Sequence, residues 1–158
     1  MKTIKTVEIN YIAVLILVLL NMILGFIWYS PYIFGNEWMK LLGKDMSFFQ
    51  NAGIMPFIVA FISSVFTIFT IAWVFKQLQI QSFIKGIFYA IVFWFGFLFC
   101  ELLAIDQMEL RHYGLTWINA GKSFVTFLNS GFLLGFWNRF SEKEIPDPTP
   151  IVPEQQKM

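Results

Sequence analysis

Charge is scarce in this chain. Asp, Glu, Lys and Arg make up only 13% of its 158 residues, where soluble domains carry about a quarter. The balance is a net charge of +1. No block of Lys or Arg stands anywhere in it, so no nucleic-acid partner is expected. Cysteine and histidine are rarer still. The single Cys, Cys100, excludes an internal disulfide and every Cys-paired metal motif; it reads as a small buried residue of a spanning helix. The single His, His112, excludes any site that needs two imidazoles from one chain. A Gly-x-Ser-x-Gly elbow and a phosphate-cradling glycine-rich loop are both absent. No cofactor, no catalytic constellation and hence no enzyme is expected.

Apolar residues are what the chain has in quantity: 58% hydrophobic, with 20 Phe and 6 Trp. From Ile9 through Asn36, and again between Asp45 and Lys76, there is no charged residue. Runs of about 20 apolar residues cross a bilayer. Four spans are predicted, at 9–29, 54–75, 83–104 and 117–137. Together they describe an all-α, polytopic membrane protein, one antiparallel bundle of four transmembrane helices over 1–140. The basic start, Lys2 and Lys5, is like that of a signal peptide. The apolar part is too long for one and has no small-x-small cleavage site, so an uncleaved helix is expected. Everything after Ser141 is polar, with four Pro in Glu144–Pro153, and 141–158 reads as a disordered Pro-rich tail.

Trp28-Tyr29-Ser30-Pro31 closes the first span, since Pro31 biases Ser30 away from helical angles and the aromatics favour headgroup level. A short interfacial helix should follow, capped by Asn36 and ended by Gly43, with Trp38, Leu41 and Leu42 on one side and Glu37 and Lys40 in water. In the second span Pro56, Ala60, Ser63, Thr67 and Thr70 form a small-residue face. In the third, Gly86, Ala90, Gly96, Cys100 and Ala104 form another. Both suit close helix packing. Asn10 and Asn21 share a face of the first span, for interhelical hydrogen bonds or a ligand contact.

The last span is the unusual one. At about 100° per residue, Asn119, Lys122, Ser123, Thr126, Asn129 and Ser130 fall within an arc of roughly 120°. A helix striped this way must turn that face to protein or water. Gly121, Gly131 and Gly135 lie opposite, and Gly131-x-x-x-Gly135 has the spacing of close helix contact, either inside the chain or with a second copy in a homodimer. Lys2, Lys5, Lys76, Lys85, Arg139 and Lys143 belong near one membrane face, Lys40, Lys44, Arg111 and Lys122 near the other, where Glu37, Asp45, Asp106 and Glu109 offset them. This puts both termini in the cytoplasm.

Asn10-Tyr11-Ile12-Ala13-Val14, then Gly25-Phe26-Ile27-Trp28-Tyr29-Ser30-Pro31, Phe34-Gly35 and Trp38, and later Ile118-Asn119-Ala120-Gly121 with Gly131, Gly135 and Trp137, resemble the signature of an uncharacterised bacterial family of four-helix integral membrane proteins, a domain of unknown function. The resemblance runs to about Trp137 and implies the four-helix fold in a bacterial inner membrane, with no established activity. Members of that family often have an aromatic and a His where this chain has Lys122-Ser123, so nothing resting on that His carries over.

Two constellations could carry chemistry. Lys122 and Glu101 would lie near the outer ends of consecutive spans. The plain reading has Lys122 snorkelling past Trp117 or pairing structurally with Glu101. The functional reading makes Asn119, Lys122, Thr126, Asn129, Glu101 and Asn21 a polar pocket open to the outside, holding a small ligand, a lipid or a membrane partner. A small dimeric transporter of a polar or anionic solute is the alternative. Asp106-x-x-Glu109-x-x-His112 would share a helix face and could suit a divalent metal, but three ligands in one exposed turn without a second shell read better as a solvated loop. Titration with a divalent metal is therefore expected to leave the spectra of this loop unchanged; a saturable change would restore the metal reading.

Overall fold

The structure, a computed structural model, describes residues 2–137 and 139–145. Among them three helical stretches are long and apolar enough to cross a membrane: Tyr11–Trp28, Met55–Gln77 and Phe83–Met108. Their outer surfaces carry Leu15, Leu19, Ile23, Ile58, Phe66, Phe88 and Phe97 unburied, far more contiguous apolar surface than a water-soluble chain leaves open. Membrane association follows from that surface.

Strand β1 (Lys2–Glu8) leads into α1 (Tyr11–Trp28). The Asn10 side chain caps α1 by accepting from Ala13 N. A tight turn over 29–34 delivers α2 (Gly35–Leu42), which ends at Gly43 in the left-handed conformation, as expected. Asn36 does not cap α2: it lies inside the helix and donates to Pro31 O. A second short helix, α3 (Met46–Asn51), was not foreseen. Ser47 Oγ and Phe48 N both donate to Asp45 Oδ1 at its start, and hold that carboxyl below the usual carboxylate range.

Helix α4 (Met55–Gln77) returns with Pro in its first turn, where the missing N–H costs nothing. Its buried seam is Ser64, Ile68, Ile71, Ala72 and Phe75, so the small-residue face expected at Ser63, Thr67 and Thr70 is not the packing seam. Helix α5 (Phe83–Phe93) passes through a π-helical stretch, Trp94–Phe99, into α6 (Cys100–Met108). A π-turn inserts a residue and rotates the face that follows. Gly86 and Ala90 are buried before it, whereas Gly96 has open space around it and Cys100 is exposed after it. The five-residue packing surface, with a buried Cys100, is corrected to two residues.

Helix α7 (Tyr113–Phe136) buries ten positions from Leu115 to Gly135 and is the central element. Its 24 residues are long enough to cross, at about 1.5 Å per residue, but its polar side chains keep it out of the apolar set. It runs opposite to α1, as Asn10 meets Trp137 and Trp28 meets Ile118. It also runs opposite to α5–α6, as Phe83 meets Phe132 and Phe99 meets Trp117. Helices α1 and α4 are likewise opposed, with Phe26 on Phe57 and Asn21 on Ser64. The core joins Ala13, Val14, Leu17 and Val18 to Ile68, Ile71, Phe75, Ala90, Phe127 and Leu134.

Strand β2 (Arg139–Ile145) pairs antiparallel with β1, from Lys2 opposite Ile145 to Glu8 opposite Arg139. The polar tail therefore does not begin at 141, because a strand partner satisfies that backbone; 146–158 lie outside the described residues. Val7 N donates to Gln79 Oε1 and Glu8 pairs with Lys76 at 2.6 Å, which ties β1 to the end of α4.

The glycines of α7 are used inside the chain. A Cβ on Gly131 would lie 2.6 Å from Gly86 O and 2.7 Å from Ala90 Cβ, and one on Gly135 would lie 2.8 Å from Ser82 O. Helix α5 thus packs on the surface that Gly131 and Gly135 present, so these two glycines make a close contact inside the chain. Gly131→Leu should lose about 1–3 kcal/mol by overpacking, read as earlier unfolding in an SDS titration of the micellar protein, while Gly96→Leu should shift it little. Equal shifts would show that α5 and α7 do not meet at Gly131.

Candidate functional site

Between α1, α2, α4 and α7 lies a cavity of about 370 Å³, within the usual range of about 300–1,000 Å³ for ligand sites. Helix spacing explains its walls. Pro56, Ala60 and Ser64 succeed one another at one turn along α4, and Asn21 and Gly25 do the same along α1. Small side chains on those faces hold the helices apart from anything large, and α2 with Gly53 covers the end through Trp38 and Met39.

Lys122 enters from α7. Its Cε passes Gly25, where an added Cβ would stand 3.9 Å away, and its Nζ donates to Asn21 Oδ1 at 2.8 Å. Thr126 Oγ1 donates to the same oxygen at 2.7 Å. Asn21 Nδ2 donates to Ser64 Oγ, and Ser64 Oγ to Ala60 O. One carboxamide thus joins three helices. Asn119 serves the rim: its Oδ1 accepts from Tyr29 Oη at 3.0 Å and Trp38 Nε1 at 3.2 Å. Trp28 Nε1 donates to Ile118 O, and its ring lies where a Cβ on Gly121 would come within 2.9 Å. The early stretch 28–38 and the late stretch 118–121 therefore meet as one cluster, with Tyr29 on Trp38 at 4.8 Å and Trp28 on Phe34 at 4.7 Å.

Of the six residues expected at a pocket, Asn21 and Lys122 line the cavity, Thr126 supports them and Asn119 holds its rim. Asn129 is exposed and so is Glu101. Neither belongs to the site, and Lys122 takes Asn21 in place of Glu101. Ser123 faces the other way, accepting from Trp94 Nε1. Ser64, Phe26, Met39 and Phe57 were missed. Only the need of Asn21 for a partner hinted at Ser64. Of the three groups weighed as a metal site, Asp106 and Glu109 share the Arg111 guanidinium, Asp106 is buried and also accepts from Thr116 Oγ1 at 2.7 Å, and His112 Nδ1 accepts from Gly114 N to cap α7. Among the described residues no three metal-binding side chains converge.

The family described as protein of unknown function (DUF1761) matches residues 12–135, most of the chain. The chain belongs to the DUF1761 family. The DUF1761 match spans α1 through nearly all of α7, so every cavity-lining residue lies inside it. No curated protein and no solved structure matches the chain.

Chemically the cavity offers one ammonium, one carboxamide and hydroxyls within apolar walls, and no carboxylate among its lining residues. Asn119→Leu strands the Tyr29 hydroxyl and takes one acceptor from Trp38, and should cost about 1–3 kcal/mol, seen as a lower melting temperature with altered Trp emission. Asn129→Leu, on an exposed position, should be close to neutral. Equal losses from the two would remove the rim cluster from the account.

Proposed function

We propose that this chain is a non-enzymatic integral membrane protein that crosses a bacterial inner membrane four times, with α7 as the fourth crossing and both termini cytoplasmic, and that it binds a small ligand in the cavity between α1, α2, α4 and α7. The observation that carries this is Lys122: an ammonium in the wall of a 370 Å³ cavity whose single acceptor is a carboxamide. A charge at membrane depth is costly and marks function more often than packing. The fourth crossing is supported by the burial of Thr126 and Ser130, which keeps these two hydroxyls of α7 away from lipid. The orientation is supported by the basic residues grouped on the side of the β1–β2 pair.

Binding is favoured over transport by one feature. Below Asn21 the interior is closed by Leu17, Val18, Ile68 and Ile71, all buried; the buried hydroxyl at that level, Ser130, is spent on Thr126 O, and among the described residues no polar route continues. A dimeric transporter of an anionic solute would need that floor to open.

Single cysteines in a Cys100→Ser background test the crossing number. Position 44 and position 109 should react with impermeant maleimide in intact cells, and positions 79 and 141 only after lysis; labelling of position 141 in intact cells would overturn the fourth crossing. Native mass spectrometry of the purified chain should show a small-molecule adduct that Ala60→Phe removes by filling the cavity. A wild-type chain free of adducts would sink the binding reading, and phosphate flux into liposomes that Lys122→Leu abolishes would put transport in its place.

A further inference from the structure

The cavity has a polar deep end and an apolar outer end. At the deep end the hydrogen-bonding capacity is nearly all taken. Asn21 Oδ1 already accepts from Lys122 Nζ and Thr126 Oγ1, Asn21 Nδ2 gives one of its two N–H groups to Ser64, and the Ser64 proton goes to Ala60 O. Lys122 has the most left, and it is the one charged group there. An ammonium carries three donors and this one uses one of them. Among the described residues the ion pairs are Lys40 with Glu37, Lys76 with Glu8, and Arg111 with Asp106 and Glu109, so the charge of Lys122 is unpaired. A neutral or cationic head would leave it so, whereas an anion would pair it through charge-assisted hydrogen bonds.

From Lys122 outward the lining is hydrocarbon and aromatic: Met22, Phe26, Met39 and Phe57. Phe26 and Phe57 stack at 5.5 Å. Each lines the cavity yet is 60% and 48% exposed, respectively. A single layer of rings therefore separates the cavity from the flank of α1 and α4, whose surface there is Ile23, Ile27 and Phe61, all exposed. In a bilayer that flank faces acyl chains.

We infer that the cavity takes an anionic amphiphile from the bilayer, its acid head (a carboxylate or a phosphate monoester) at Lys122 Nζ and its hydrocarbon passing Phe26 and Phe57 toward the lipid. This rests on the binding reading above and names the ligand class. No bond is made or broken; the site selects by charge at one end and by burial of hydrocarbon at the other.

Photolabelling of the full chain in neutral micelles tests it, with diazirine-bearing palmitate, the matching hexadecyl phosphate and the matching hexadecanol. Both acids, or the preferred one of them, should label peptides carrying Met22–Phe26 and Phe57, with hexadecanol lower by about tenfold or more, the worth of a charge-assisted hydrogen bond. Lys122→Gln should bring acid labelling down to the alcohol level and Lys122→Arg should keep it. Ala60→Phe, which leaves Lys122 in place, should suppress all three probes, and circular dichroism of each variant should match the parent helix content. The ratio of palmitate to hexadecyl phosphate tells carboxylate from phosphate heads. Equal labelling by alcohol and acids, indifferent to Lys122→Gln but lost in Ala60→Phe, would overturn the acid head while leaving a ligand cavity. Displacement of the acids by inorganic phosphate would overturn the lipid source. No cavity labelling by any probe would overturn both this inference and the binding reading.

Discussion

Asn21 Oδ1 accepts from Lys122 and Thr126, residues 101 and 105 positions away in the chain, while its Nδ2 reaches Ser64 on a third helix. The geometry of this membrane domain depends on that carboxamide. Each interhelical hydrogen bond contributes only about 0.6 kcal/mol on average, whereas a polar group left unsatisfied in hydrocarbon costs several. The node therefore stabilises modestly and selects strongly. Sliding α7 by a turn against α1 would strand an amide, a hydroxyl and an ammonium together, so one register survives. The aromatic cluster around Asn119 lies about two turns from Asn21 on one side and the dry core on the other, and the cavity is what the small side chains of α1 and α4 leave between them.

Helix α7 divides its surface. One edge hands polar groups to α1 and α2. Another, bare of side chains at Gly131 and Gly135, lets the α5 backbone come close. A helix surrounded this way has little need of apolar side chains on every face, which is why the most interior helix is the least hydrophobic of the long ones. The outer helices carry the opposite burden: α5, the π-helical stretch and α6 turn most of their Phe-rich surface outward, and they meet α7 along a narrow seam through Gly86, Ala90 and Trp94, with Asp106 bound to Thr116 at its far end.

Much of the candidate site was legible before any coordinates. Asn119 and Thr126 sit near the middle of one arc of α7 and Lys122 toward one side of it, and a polar arc on an apolar helix has to face inward. Asn129 misled because it lies at the edge of that arc, beyond Lys122. The long Lys stem can swing back to Asn21, and the short Asn side chain cannot. Glu101 misled because adjacency in sequence was taken for adjacency of faces: α6 meets α7 through Asp106 and Thr116, while Lys122 looks toward α1. The small residues after Gly96 misled because a regular helical period was carried through a π-helical stretch that breaks it. The strand pair at the termini left no alternation strong enough to see, since backbone pairing asks little of side chains.

By itself the amino-acid order decided the solvent this protein lives in, the approximate extent of its helices and which polar side chains had to be hidden. Those follow from local composition, because transfer into lipid is a property of each residue and its near neighbours. Which side chain answers which was decided only by folding. Ser64 for Asn21, α5 for the glycines, and Tyr29 and Trp38 for Asn119 are all pairings across long stretches of chain, and helix rotation and crossing, which no single segment encodes, select them.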